Sequence, residues 1–230
     1  MKQNVDISIS KFREHDKKFR KCNDTGIDDG GKSYHHMQGN INILVSAPHS
    51  VKTYRKTEGK TYAEIFTGSI ACYLHELTGC HTIYKKYNDG TNANSDSDEK
   101  DGGYKNAVKS IAKKYNIKTL IDLHGMGEDV MGVNTEIVIG TGTKISGDGE
   151  TASIKTSKKV IEIFKKYEIS ADVSYGKFNA GHPNNITKYI HNTDPNIESM
   201  QFEISAKYLN LDEIKPLMNA LVEIINCLNT

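Results

Sequence analysis

The stretch INILVSAPHSVKTYRKTEGKTYAEIFTG, residues 41–68, decides how this chain is read. It opens with an apolar run, Ile41 to Ala47, of the length and composition of a buried strand. Further on, Ala63, Phe66, Ile70, Leu74 and Leu77 recur at helical spacing, which predicts a helix over Tyr62–Leu77 with Gly79 as its C-cap. His49 stands just past the strand, and Glu64 follows fifteen residues later in the first turn of the expected helix. The same alternation continues along the chain. HTIYKK (81–86), KTLIDLHG (118–125), NTEIVIGTG (134–142), ITKYIH (186–191) and MQFEIS (200–205) read as strands. Tyr104–Tyr115, Ser153–Tyr167 and Leu211–Leu228 read as helices. This order predicts an α/β domain, three-layer α/β/α with a mostly parallel mixed sheet. Such sheets bind ligands at the carboxyl ends of their strands, so side chains there carry the functional expectation.

The 230 residues suffice for one large domain or two small ones. Residues 1–39 are polar and poorly periodic and read as an N-terminal extension of uncertain structure. Residues 40–230 read as a single α/β catalytic domain. Thirty basic residues against twenty-nine acidic ones argue against a nucleic-acid surface. No apolar run approaches the ~20 residues that span a bilayer, so no membrane partner is expected. The first residues lack the apolar core of a signal peptide. Cys22, Cys72, Cys80 and Cys227 show no CxxC spacing, which fits free thiols in a reducing compartment. A cytoplasmic protein is the expectation; the oligomeric state is not legible.

Four residues sit where an open α/β sheet brings side chains together: His49 after the first strand, Glu64, His124 at the end of LIDLH, and Glu203 inside MQFEIS. Two imidazoles and a carboxylate form a common ligand set for catalytic zinc, with the fourth position left to water. A further carboxylate can then move the proton. Each residue also has a plainer reading. His49 can simply end a strand. Glu64, three residues after Thr61, completes a capping box. His124 can be a histidine satisfied by Asp122, which shares its strand face; the same pair suits a metal ligand with a carboxylate behind it. Glu203 alternates with Phe202 and Ile204, so it is either a buried carboxylate that needs a partner or the solvated face of an edge strand.

ILVSAPHS, KTYAEIFTG, LIDLHG and QFEIS together resemble the N-formylglutamate amidohydrolase-like proteins. More distantly they are similar to zinc-dependent N-acetylmuramoyl-L-alanine amidases and zinc carboxypeptidases. The resemblance covers roughly residues 40–210 and lies mainly in the motifs. It implies a zinc-exopeptidase-like fold and hydrolysis of an amide bond. By motif position it points to His49, Glu64 and His124 as metal ligands, with zinc as the cofactor and Glu203 as general base. The segment after the first histidine departs from the family pattern, so the substrate is left open.

Arg55, one of three arginines in the chain, lies between two proposed ligands. A guanidinium there can grip a substrate carboxylate or stabilise an oxyanion, or it can simply be solvated. Lys60 is a weaker candidate of the same kind, and His182 in NAGHPNN lies on a late loop that could cover the site. The expected activity is hydrolysis of a small N-acylated amino acid or peptide-like amide. The alternatives are a peptidoglycan or poly-γ-glutamate amidase, and a non-catalytic ligand-binding module on the same fold.

Overall fold

A computed structural model of the protein describes residues 5–55, 60–93, 103–127, 130, 134–143 and 150–229; of residues 54, 55, 60 and 61 it describes the backbone. The alternation of strands and helices builds a mixed sheet with helices on both faces. Among the described residues the sheet has seven strands, in the order β1-β5-β2-β6-β9-β7-β8. They are β1 (Tyr34–Met37), β2 (Ile41–Ala47), β5 (Cys80–Lys85), β6 (Thr119–Met126), β7 (Ile137–Gly140), β8 (Ala171–Val173) and β9 (Glu198–Ser205). The four strands β5, β2, β6 and β9 run parallel. β1 closes one edge antiparallel to β5, and β7 runs antiparallel to β9 with β8 parallel beside it. A hairpin of β3 (Thr53–Arg55) and β4 (Lys60–Tyr62) stands apart.

One face packs against α1 (Ile9–Asp16), α3 (Thr67–Thr78), α5 (Ile154–Lys166) and α7 (Ile214–Leu228). The other carries α4 (Tyr104–Lys114) and α6 (Ile186–Thr193). A single turn, α2 (Lys21–Asp24), with Cys22 and Asn23 in the left-handed region, follows α1. The strong helices follow their sequence signals. Ser153 caps α5 by accepting the Thr156 N–H, and Val160, Ile163 and Phe164 form its buried stripe. Gly79 ends α3 at φ 73°, where a side chain is strained, and its N–H reaches the His75 carbonyl.

Two expectations are corrected. ITKYIH forms α6 rather than a strand: the Asn185 side chain accepts the Thr187 N–H, and Ile186 and Ile190 bury one helical face. Its β-branched composition suited a strand, but the apolar period is four. The helix expected from Tyr62 starts only at Thr67. Tyr62 belongs to β4, paired with Thr53, and Phe66 takes φ 70° just ahead of the helix. Thr61 therefore lies on a strand and Glu64 in the connecting turn, and the capping box does not form. The Glu64 N–H donates instead to the His49 carbonyl at 2.9 Å.

Residues ahead of position 40 enter the same core. β1 pairs along β5, and Phe12 and Phe19 are fully buried with the helices of the first face. The Phe12 ring meets Phe66 edge-on at 5.3 Å and Tyr73 at 6.4 Å. Left-handed backbone at a bulky residue costs on the order of 1–3 kcal/mol. Phe66 takes that conformation with its ring against Phe12, next to the turn that carries Glu64. Phe12→Ala is expected to lower stability by about 3–5 kcal/mol, read as a fall in the urea midpoint at unchanged slope. A loss under about 1 kcal/mol, the level of a surface change, would detach α1 from the core.

Candidate metal centre

The second face of the sheet changes character along its strands. Near the amino ends it presents Leu44 and Leu120 to the α4–α6 cluster. Two residues further on, the same face carries Ser46 and Asp122; beside them on β9 is Gln201, and beyond come His124 and Glu203. The opposite face stays apolar through Val45, Ile121, Leu123, Phe202 and Ile204. Side-chain alternation delivers both outcomes from one sequence. β9 lies between β6 and β7, so Glu203 is on an interior strand, only 5% exposed, and the edge-strand reading is corrected.

The carboxyl ends of β2 and β6 bring His49 and His124 together, with ring centroids 4.9 Å apart. Glu64 inserts between them. Its Oε1 lies 2.8 Å from His49 Nδ1 and its Oε2 lies 3.1 Å from His124 Nδ1. Oε2 also accepts the Gly125 N–H at 3.1 Å. A Cβ at position 125 would sit 3.4 Å from Glu64 Cβ and 2.8 Å from Leu209 Cδ1, so glycine admits this approach. All three side chains are buried, and one ligand atom from each lies within 4.8 Å of the others.

The outer nitrogens are also engaged. His124 Nε2 lies 3.1 Å from Asp122 Oδ2, and His49 Nε2 lies 2.9 Å from Asn92 Oδ1. Asn92 Oδ1, Asp122 Oδ2 and the Glu64 carboxylate are all acceptors, so each ring stands between an outer acceptor at Nε2 and Glu64 at Nδ1. Burial pushes the Glu64 carboxyl up, but the two imidazoles outweigh it and hold the group well below its ordinary 4.5. Burial works against charge on His124 too, yet Glu64 and Asp122 raise it well above 6.5. The field at this point favours positive charge.

Above the three side chains opens a cavity of about 620 Å³, lined also by Tyr62, Met126, Glu203 and the loop from Lys177 to His182. Gln201 Nε2 donates to Glu203 Oε1 at 2.6 Å, and Asn185 Nδ2 donates to Gln201 Oε1 at 2.6 Å. Of the residues expected from sequence, His49, Glu64 and His124 converge, Asp122 touches His124, and Glu203 lies beside His124 in register. His182 is exposed on the cavity rim. Arg55 and Lys60 face each other across the β3–β4 hairpin, and their side chains lie outside the described residues. Sequence reasoning missed Asn92, Asn185 and Lys177. Gln201 was legible as a neighbour of Glu203 on one strand face; nothing local marks Asn92.

No protein-family model and no curated protein matches the chain. Solved structures do match. A bacteriophage poly-gamma-glutamate hydrolase aligns with TM-score 0.51 and 14% identity over 86% of this chain and 89% of that one. A gene product of Agrobacterium tumefaciens aligns with TM-score 0.56 and 13% identity over 86% of this chain and 94% of that one. N-formylglutamate amidohydrolase from Ralstonia eutropha aligns with TM-score 0.51 and 12% identity over 86% of this chain and 99% of that one. The shared property is the fold, and the family that the motifs resemble is among its holders.

The opposite shifts of Glu64 and His124 predict a pH dependence for protein kept metal-free by a chelator. Glu64 is depressed, so its stabilisation is present above about 4.5 and is lost as pH falls through its folded value. His124 is raised, so its stabilisation is whole below about 6.5 and is lost as pH rises through its folded value. Urea midpoints of the metal-free protein are expected to decline above pH 6.5, and His124→Gln is expected to flatten that limb. An unchanged limb in the variant would remove His124 as its source.

Proposed function

We propose that the protein is a metal-dependent amidohydrolase, of the N-formylglutamate amidohydrolase-like kind, acting on a small N-acylated amino acid or peptide-like amide. One observation carries the reading: the Nδ1 atoms of two buried imidazoles and a buried carboxylate converge on one point, and each outer Nε2 has an acceptor of its own. That donor set fits a divalent cation, with His49, Glu64 and His124 as its ligands and zinc the expected identity. When bound, such a cation supplies Lewis acidity that brings the pKa of water from about 16 to about 7 and polarises a carbonyl.

The chain's own residues supply the rest. Asp122 orients the His124 ring and makes it the more basic ligand. Glu203, at the cavity wall beside His124, takes a proton from the attacking water and returns it to the departing amine nitrogen. Gln201 fixes one oxygen of that carboxylate, and Asn185 in turn fixes Gln201. The cavity, of the size that small-molecule sites have, shields the reaction. Arg55 and Lys60 at the hairpin, and His182 on the rim, are proposed to hold a carboxylate of the substrate.

A poly-γ-glutamate amidase is the second reading, favoured by the fold shared with the bacteriophage hydrolase. A peptidoglycan amidase needs the same catalytic groups. Trials with N-formylglutamate, other N-acyl amino acids, poly-γ-glutamate and muropeptides separate these substrates. Elemental analysis is expected to find one zinc per chain, lost in His49→Ala and in His124→Ala. Glu203→Gln is expected to keep the metal and lose about 10²–10⁴ in kcat. Protein that holds no metal after reconstitution, or full turnover in Glu203→Gln, would overturn the proposal and favour a binding module.

A further inference from the structure

Asn92 sits on the loop that leaves β5, the strand beside β2, and meets His49 from behind. Its Oδ1 stands 2.9 Å from His49 Nε2, on the far side of the ring from Glu64. The loop is braced from within the protein. Lys85, the last residue of β5, is 1% exposed, and its Nζ reaches Asp89 Oδ1 at 2.6 Å and Thr91 Oγ1 at 3.0 Å. Asp89 Oδ1 also accepts the Thr91 N–H and hydroxyl, at 3.0 and 2.6 Å. Asn88 N–H is tied to the Thr25 carbonyl, and Ala93 is buried in the α4–α6 cluster. Asn92 is thus clamped between a buried lysine on one side and an apolar anchor on the other.

Asn92 Oδ1 and Glu64 Oε1 are acceptors on opposite sides of the His49 ring. A cation bound on the Nδ1 side would take the place of the inner proton and leave the one N–H of a neutral histidine to Asn92. An amide does this without a charge, whereas Asp122 does the corresponding task for His124 with a carboxylate. The two ligand rings therefore have unequal support.

We propose that Asn92 is a positioning residue of the metal centre, which fixes the Nε2–H form and the ring orientation of His49, and that the loop braced by Lys85 is the device that holds it there. The consequence for metal affinity rests on the metal-site reading above; the hydrogen bond itself does not.

The experiment compares wild type, Asn92→Ala and Asn92→Asp by zinc competition with a chromophoric chelator. Each is also examined by proton NMR of 15N-histidine-labelled protein. Asn92→Ala is expected to weaken zinc about 10–100-fold, while Asn92→Asp, which keeps an acceptor, holds zinc at least as well as wild type. The slowly exchanging Nε2 proton of His49 is expected in wild type, moved further downfield in Asn92→Asp and absent in Asn92→Ala. Zinc affinity and resonance both unchanged in Asn92→Ala would overturn the proposal. So would equal weakening in both variants, which marks a general disturbance of the loop. Wild-type protein without zinc affinity would sink the metal-site reading, while the proton resonance would still decide the role of Asn92.

Discussion

A carboxylate taken out of water needs compensation of several kcal/mol or it keeps its proton. Glu64, 6% exposed between two imidazoles, imposes that demand on this fold. The compensation comes from three segments far apart in sequence. His49 comes from the end of β2, His124 and the Gly125 N–H come from β6, and Glu64 itself comes from the turn ahead of α3. The main chain of that turn is hooked to His49 as well, through the Glu64 N–H and the His49 carbonyl. Any one of these segments out of place leaves a buried charge unsupported, so the site and the local fold stand or fall together.

The parallel sheet makes the arrangement possible. Parallel strands point their carboxyl ends the same way, so side chains at the ends of β2, β6 and β9 gather at one edge. Helices α4 and α6 cover the apolar part of that face, and the polar part opens into the cavity. Tyr104 marks the boundary. Its buried hydroxyl donates to the Ile83 carbonyl at 2.9 Å, accepts the Ala47 N–H at 3.2 Å and lies 3.1 Å from Ser46 Oγ. It thereby pins β2 two residues before His49.

Support from behind the site is equally physical. Phe66, in left-handed backbone, packs its ring against Phe12, which joins the first helix to the turn of Glu64. Asn92, Asp122 and Gln201 each hold one functional side chain by a hydrogen bond of 2.6 to 3.1 Å. Asn92 and Asp122 act on the two imidazoles from outside the cavity, while Gln201 holds Glu203 at its wall.

The layered α/β class and the side chains with chemistry to contribute follow from the order of residues. Strand ends and two-residue alternation are local signals, and they mark His49, Asp122, His124 and Glu203. Glu64 is legible as a residue but not by its element, because a capping box and a turn carboxylate share the same spacing. ITKYIH misled through its β-branched composition, which packing on α4 and the Asn185 cap overrode. Which acceptor meets which imidazole nitrogen, and that the first helix packs on the turn beside the site, came from the folded chain alone. The physical reason is distance along the chain: Asn92 and His49, like Phe12 and Phe66, are joined by contacts between remote segments, and no local pattern encodes such a contact.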